Sequence, residues 1–413
     1  MNVEDMKKDP IFAMSLSSKE LFHSNFWAWL CGRELDKENT VINEKSKGIK
    51  YINIFFPDLK NVTRVEREKN NRDVTFWESG KAYIIENKFK AIPDKEQLLR
   101  YQNELEEPKN PKNKIIVGGG ILTGVITPYF IEDPELDKWH FKPYAEIGKE
   151  IVEIANSGIE TDDFQRNLII SYGKLLQNLH EVFSNKLTSV KERWVYYDNE
   201  LDEIRMNDMY SKMIAWELAK YLRDHLELAE HIGDYELIIR TGYGQGGVIV
   251  DVRYEVVDEA LKETYRNPPD GVYRWNCLGV QIERKEYRWC ASIAYTYEKY
   301  SSDTDRLFEE VRTRSNWFVK YDYEKDSHMI TDHIDSKSKR RTSQSWVKDL
   351  KKTKIAKKKF PYHMYSGKKD DPYTFLYQYW TIRDNESFDA ICSEVQRDMD
   401  RAAEILKEYI KTT

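Results

Sequence analysis

The chain has 413 residues, with 65 Lys and Arg against 71 Asp and Glu and a formal net charge of −6. Aromatic residues make up 13% of it, which excludes global disorder, because disordered chains lack the large apolar rings that build a core. No apolar stretch is long enough for a membrane span, the opening MNVEDMKKDP has no signal-peptide pattern, and the cysteines (Cys31, Cys277, Cys290, Cys392) are too far apart for a zinc ribbon or a disulfide framework. A reducing cytoplasm and no membrane partner are therefore expected, in a chain of about two or three domains.

The first element is a helix. Ser17 and Ser18 are good N-caps, Glu20 falls in the first turn, and Leu21, Phe22, Phe26, Trp29 and Leu30 recur at helical spacing before Gly32. Three strand-like runs follow, at Val62–Glu68, Asp73–Trp77 and Ala82–Glu86, with a hairpin turn at Glu78-Ser79-Gly80-Lys81. A helix is predicted from about Asp94 to Glu107, ended by Pro108 and Pro111. Lys114–Val117 reads as a buried strand, Gly118-Gly119-Gly120 as a turn, and Val125-Ile126 as a further short strand. Helical patterns occupy about 143–156 and 162–184, so this half is α/β with a mixed sheet.

The second half, from a soft boundary near residue 190, reads as α+β. Asp202–His231 looks helical, Tyr235–Arg240 with Val248–Tyr254 and Val272–Glu283 with Tyr287–Tyr297 look like hairpins, and a helix runs from about Ser387 to Lys411. Lys337–Lys359 contains a single acid, Asp349; it reads equally as a phosphate-binding face and as solvated surface. Tyr373, Phe375, Tyr377 and Tyr379 alternate, which fits a core strand better than a base-stacking platform.

The chemistry concentrates at Asp73 and Ile85-Glu86-Asn87-Lys88. Alternate residues of a strand share a face, so Glu86 and Lys88 project together and Asn87 away. Pairing the two adjacent strands brings Asp73 beside Glu86. Two carboxylates on one face call for a cation between them, and hard oxygen donors suit Mg²⁺ or Mn²⁺. A neighbouring lysine can position the attacking water and stabilise charge on a phosphate. Metal-assisted phosphodiester hydrolysis needs this set. No Walker A lysine, HExxH or GxSxG accompanies it.

Asp73 followed by Glu86-x-Lys88 resembles the PD-(D/E)XK nuclease superfamily, with Arg72 in place of the proline. Gln97-Leu-Leu-Arg-Tyr101 looks like the QxxxY element of RecB-like members. The helix block Phe22-His23-Ser24-Asn25-Phe26-Trp27-Ala28-Trp29-Leu30 and Ile126-Thr127-Pro128, with Trp139 and Tyr144 behind it, are similar to blocks of one bacterial family of this type. The matching blocks cover roughly residues 17–185.

The resemblance implies a restriction-endonuclease-like mixed-sheet core flanked by helices (1–190); residues 191–413 carry no assignable motif and are expected to form an α+β domain for target binding or oligomerisation. It implies Asp73, Glu86 and the Asn87 carbonyl as metal ligands, Lys88 as the residue that positions water, and Gln97 and Tyr101 as residues that hold the site or a phosphate. Glu20 is either a further acid of the site or a plain first-turn carboxylate. His23 is either near the site or structural, and Glu66 or Glu68 either faces the metal or lies at a solvated edge. The expected activity is metal-dependent hydrolysis of DNA, with bacterial defence or restriction as its setting. The alternative is a non-catalytic nucleic-acid-binding or partner-regulated protein on the same fold. Cutting both strands of a duplex in one pass needs two sites, which points to a homodimer or higher homo-oligomer. A defence-system protein is the other expected partner.

Overall fold

The computed structural model describes residues 3–8, 10–18, 20–32, 45–106, 116–188, 190–244, 247–258, 260–261, 275–294, 330–331, 363–366, 373–382 and 386–412. The basic run at 337–359 lies outside them. These residues group into two units, one of 1–188 with 197–213 and one of 189–196 with 214–413.

Unit 1 begins with helices α1 (Val3–Lys8), α2 (Pro10–Ser18), α3 (Glu20–Gly32) and α4 (Lys45–Phe55). Strands β1 (Arg64–Lys69), β2 (Arg72–Glu78) and β3 (Lys81–Lys88) follow. The turns joining them are as short as turns can be. Asn70 and Asn71 have φ of 55° and 61°, and Ser79 and Gly80 have φ of 51° and 79°. Both are the two-residue left-handed turns whose twist matches paired strands, and Asn and Gly tolerate that region best.

Helix α5 (Lys95–Glu106) separates β3 from β4 (Ile116–Gly124), and β5 (Trp139–Pro143) completes the sheet. Strand order is β1-β2-β3-β4-β5. The first two pairings are antiparallel and the last two parallel. This is a mixed α/β sheet with helices, as the sequence predicts.

The Gly118-Gly119-Gly120 turn is corrected: these residues lie inside β4. A Cβ at Gly118 would sit 2.3 Å from the Tyr83 ring, and one at Gly120 2.5 Å from the Trp139 ring. The glycines give room to aromatics from the flanking strands, so strand pairing overrides turn propensity. Val125 and Ile126 follow the end of β4 and form no strand. Beyond β5 come α6 (Tyr144–Asn156) and α7 (Asp163–Leu187), the latter capped by Asp162, whose carboxylate accepts from Gln165 N at 2.8 Å.

The helix expected over 202–231 is corrected too. It divides into α8 (Asn199–Glu203) and α9 (Asn207–His225), and His231 belongs to a short strand. Arg205, at φ 57°, breaks the helical ladder between them.

Unit 2 is built on an antiparallel sheet. Its strands are β6 (His231–Ile232), β7 (Tyr235–Gly244), β8 (Gly247–Glu255), β9 (Trp275–Glu283), β10 (Glu286–Ala294), β11 (Ile330–Thr331), β12 (His363–Ser366) and β13 (Tyr373–Ile382). The order is β11-β13-β10-β9-β8-β7-β6, with β12 also on β13. The side chains of Tyr373, Phe375, Tyr377 and Tyr379 lie outside the described residues. Helix α10 (Phe388–Thr412) covers this sheet. Its buried Asp398 accepts from Tyr287 Oη and Trp289 Nε1, both at 2.7 Å. Burial pushes the Asp398 carboxyl above its usual range. Across the sheet Arg240, Asp251, Gln281 and Arg288 form one row of paired positions, joined by Gln281–Asp251 and Arg288–Gln281 hydrogen bonds of 2.8 Å.

Among the described residues, no helix is long and apolar enough to cross a membrane. Helices α6 and α7 touch backbone to backbone: a Cβ on Gly148 would lie 2.4 Å from Gly173 O, and one on Gly173 2.7 Å from Gly148 O. Gly173→Ala should therefore destabilise unit 1 by about 1–3 kcal/mol, the usual cost of overpacking. Urea unfolding of the variant beside the parent measures it, and an unchanged midpoint would contradict the packing described.

Candidate functional site

The β2–β3 pairing runs from Glu78↔Lys81 to Val74↔Ile85. One step further along the same register, Asp73 lies beside Glu86. The apolar residues that pin this register are fully buried: Val74, Phe76, Ile84 and Ile85 are each 0% exposed. Asp73 Oδ2 accepts from the main-chain N–H of Asn87 at 2.6 Å, which ties the two strand ends together.

Glu86 and Lys88 are both buried and ion-paired, Lys88 Nζ to Glu86 Oε1, at 2.7 Å. Gln97 on α5 completes the cluster. Its Nε2 donates to Glu86 Oε1 at 2.8 Å, and its Oε1 accepts from Lys88 Nζ at 2.7 Å. One turn later on α5, Tyr101 Oη accepts from Gln97 Nε2 at 2.7 Å and donates to the carbonyl of Asn71 in the β1–β2 turn. The structure thus brings Asp73, Glu86, Asn87, Lys88, Gln97 and Tyr101 together. The two ends of the amide recognise opposite charges, so Gln97 holds the carboxylate and the ammonium in a fixed relation.

The electrostatics are those of acids crowded in a poorly solvated place. Burial, and then the charge of Glu86, push the Asp73 carboxyl up to about 8; the Asn87 N–H works against them. Burial and Glu86 also raise the Tyr101 phenol. Among the described residues no three His, Cys, Asp or Glu side chains converge as a metal cage. Among the described residues the acidic donors are a pair, Asp73 and Glu86, and the Asn87 main chain lies beside them. A divalent cation would relieve the repulsion that raises Asp73, and two hard carboxylates suit Mg²⁺ or Mn²⁺.

Other residues of interest fall elsewhere. Glu20 opens α3, and its side chain lies outside the described residues. His23 is 0% exposed, its Nδ1 3.0 Å from Tyr172 Oη, with its ring 4.4 Å from that of Phe89 and 5.8 Å from that of Tyr144. It is a core residue of an aromatic cluster, and burial holds it down to about 3, so it is neutral at physiological pH. Glu66 accepts from Lys69 Nζ and Trp77 Nε1, each at 2.7 Å, and so is committed to β1 and β2. Glu68 is exposed, with φ 52°, and its charge contributes weakly to raising Asp73.

Sequence reasoning assigned no role in the cluster to two of its parts, although Tyr144 is named in the resemblance. The Asn71 carbonyl is main chain and leaves no residue-type signal. Tyr144, whose hydroxyl donates to Asn87 Oδ1, is linked to its partner across 57 positions. Compared with family models, with curated proteins and with solved structures, the chain matches none.

The buried His23 makes a pH prediction. Its folded-state pKa of about 3 lies below the unfolded value of 6.5, so between these the unfolded chain binds the extra proton. Its contribution is intact above about pH 6.5 and is lost as pH falls, with a limiting slope of about 1.4 kcal/mol per pH unit. Denaturant unfolding across this range should show a shallower acid loss for His23→Phe than for the parent. Parallel profiles would refute the assignment.

Proposed function

We propose that unit 1 is a metal-dependent nuclease of the PD-(D/E)XK type that hydrolyses phosphodiester bonds of DNA. The observation that carries this reading is the joint placement of Asp73, Glu86 and Lys88 at the ends of two paired strands, with Gln97 bonded to both members of the Glu86–Lys88 pair. The sheet supports it. Three antiparallel strands, a helix and a parallel strand follow one another in chain order, as a restriction-endonuclease-like core requires.

Asp73, Glu86 and the Asn87 carbonyl would hold Mg²⁺ or Mn²⁺. When bound, the ion supplies positive charge for the scissile phosphate as it becomes more negative. Lys88 would position the attacking water and add positive charge toward the phosphate. Gln97 shares the Lys88 ammonium with Glu86, and Tyr101 fixes Gln97 against the β1–β2 turn. Unit 2 then serves target binding or oligomerisation, a pair of sites in a homodimer would cut both strands, and defence against foreign DNA is the setting.

The test is cleavage of supercoiled plasmid, linear duplex, single-stranded DNA and RNA with Mg²⁺ or Mn²⁺ against EDTA. Glu86→Gln and Lys88→Met keep side-chain volume, and each should lower the rate about 100-fold or more while the far-UV circular dichroism stays the same. Absence of metal-dependent cutting of any substrate by the parent would leave a nucleic-acid-binding or partner-regulated protein on this fold. Equal cutting by parent and variants would place the chemistry elsewhere.

A further inference from the structure

We propose that Tyr144 is a positioning residue for metal capture, acting through the side chain of Asn87 to aim the Asn87 carbonyl. The inference rests on the metal-dependent reading above and deepens it.

Asn87 lies between Glu86 and Lys88, so its side chain leaves the strand on the opposite face, where it is 1% exposed. There Tyr144 Oη donates to Asn87 Oδ1. Asn87 Nδ2 is buried without a hydrogen-bond partner among the described residues, and so is Oγ1 of Thr123, its register partner on β4. One hydrogen bond therefore holds this buried amide. Removing the donor would strand both ends of the amide away from water, a cost that favours another conformation of residue 87.

The donor itself is well braced. Tyr144 is the first residue of α6 and is 0% exposed. The His23 ring stacks on it at 5.8 Å and 29°, and Trp27 meets it edge-on at 6.4 Å. Helix α6 is locked to α7 at Gly148 and Gly173.

In the plane of the sheet, on the side of β2, Asn87 N–H is fixed by Asp73 Oδ2 at 2.6 Å. The N–H and C=O of one strand residue point toward the same neighbouring strand. The Asn87 carbonyl thus leaves toward β2, the strand that carries Asp73. Residue 87 is held by its N–H toward β2 and by its side chain behind the sheet, and these two grips orient the carbonyl of the same residue. Outer-shell partners of this kind set ligand orientation and metal affinity.

The experiment is Mn²⁺ titration by calorimetry on the full chain, with melting temperature and DNA cleavage measured on the same samples. Variants are Tyr144→Phe, Asn87→Ala, their combination, and Tyr51→Phe. Tyr51 is a matched control: its buried hydroxyl donates to Glu160 Oε1 at 2.9 Å, and neither residue belongs to the Asp73, Glu86 and Lys88 cluster. Tyr144→Phe and Asn87→Ala should each weaken Mn²⁺ binding about tenfold and slow cleavage in proportion. The combination should be no weaker than either alone, because both remove one interaction. Tyr51→Phe should lose melting temperature and keep the parental affinity. Parental Mn²⁺ affinity in Tyr144→Phe overturns the inference and leaves the nuclease reading standing, as does a combined loss equal to the product of the single losses. Failure of the parent itself to bind Mn²⁺ overturns both.

Discussion

A two-residue turn at Ser79 and Gly80 sets how β2 pairs with β3, and that pairing decides whether Asp73 meets Glu86. A slip of one position would take Asp73 out of register with Glu86 and separate the buried pair Val74 and Ile85. The apolar positions therefore enforce the polar site. Their pairing and the short turn hold the register, and the carboxylates are carried into proximity against their own repulsion. Asp73 shows that opposition directly, with its carboxyl raised by burial and by Glu86.

Burying Glu86 and Lys88 together is costly unless their remaining hydrogen-bonding capacity is met. Gln97 meets part of it, since an amide can donate to the acid and accept from the base at once. The exchange of Gln97 for Glu or Lys would break this symmetry by adding a like charge to one partner. An amide is thus the neutral side chain suited to the position, and Tyr101 sets its orientation from one turn away.

Much of this was legible in the sequence. The β2–β3 turn, the apolar run before Glu86 and the four-residue spacing of Gln97 and Tyr101 are local signals, and local signals survive in a single sequence. The triglycine of β4 was misread because glycine marks turns in isolation, whereas here Tyr83 and Trp139 claim the space of the missing side chains. The helix over 202–231 was drawn too long because one left-handed residue, Arg205, carries no compositional mark. Strand β5 and helix α4 went unread: β5 is five residues long and only partly buried, and α4 is lysine-rich in its first half. His23 stands inside the resemblance block, and only packing shows that it belongs to the core.

The path of the chain between its units has a consequence for how the protein can be made. Lys90, two residues beyond Lys88, donates to the Arg205 carbonyl at 3.1 Å, and its own carbonyl accepts from Lys212 Nζ at 2.8 Å. Those two partners belong to unit 1, yet they are synthesised only after residues 189–196 have gone to unit 2. The segment leaving the site is consequently fastened late, by residues that a fragment ending at 188 does not contain. During translation the strand that carries Glu86 and Lys88 must wait for more than a hundred further residues before its exit is tied down. A shortened gene product would present the motif intact and the fastening absent.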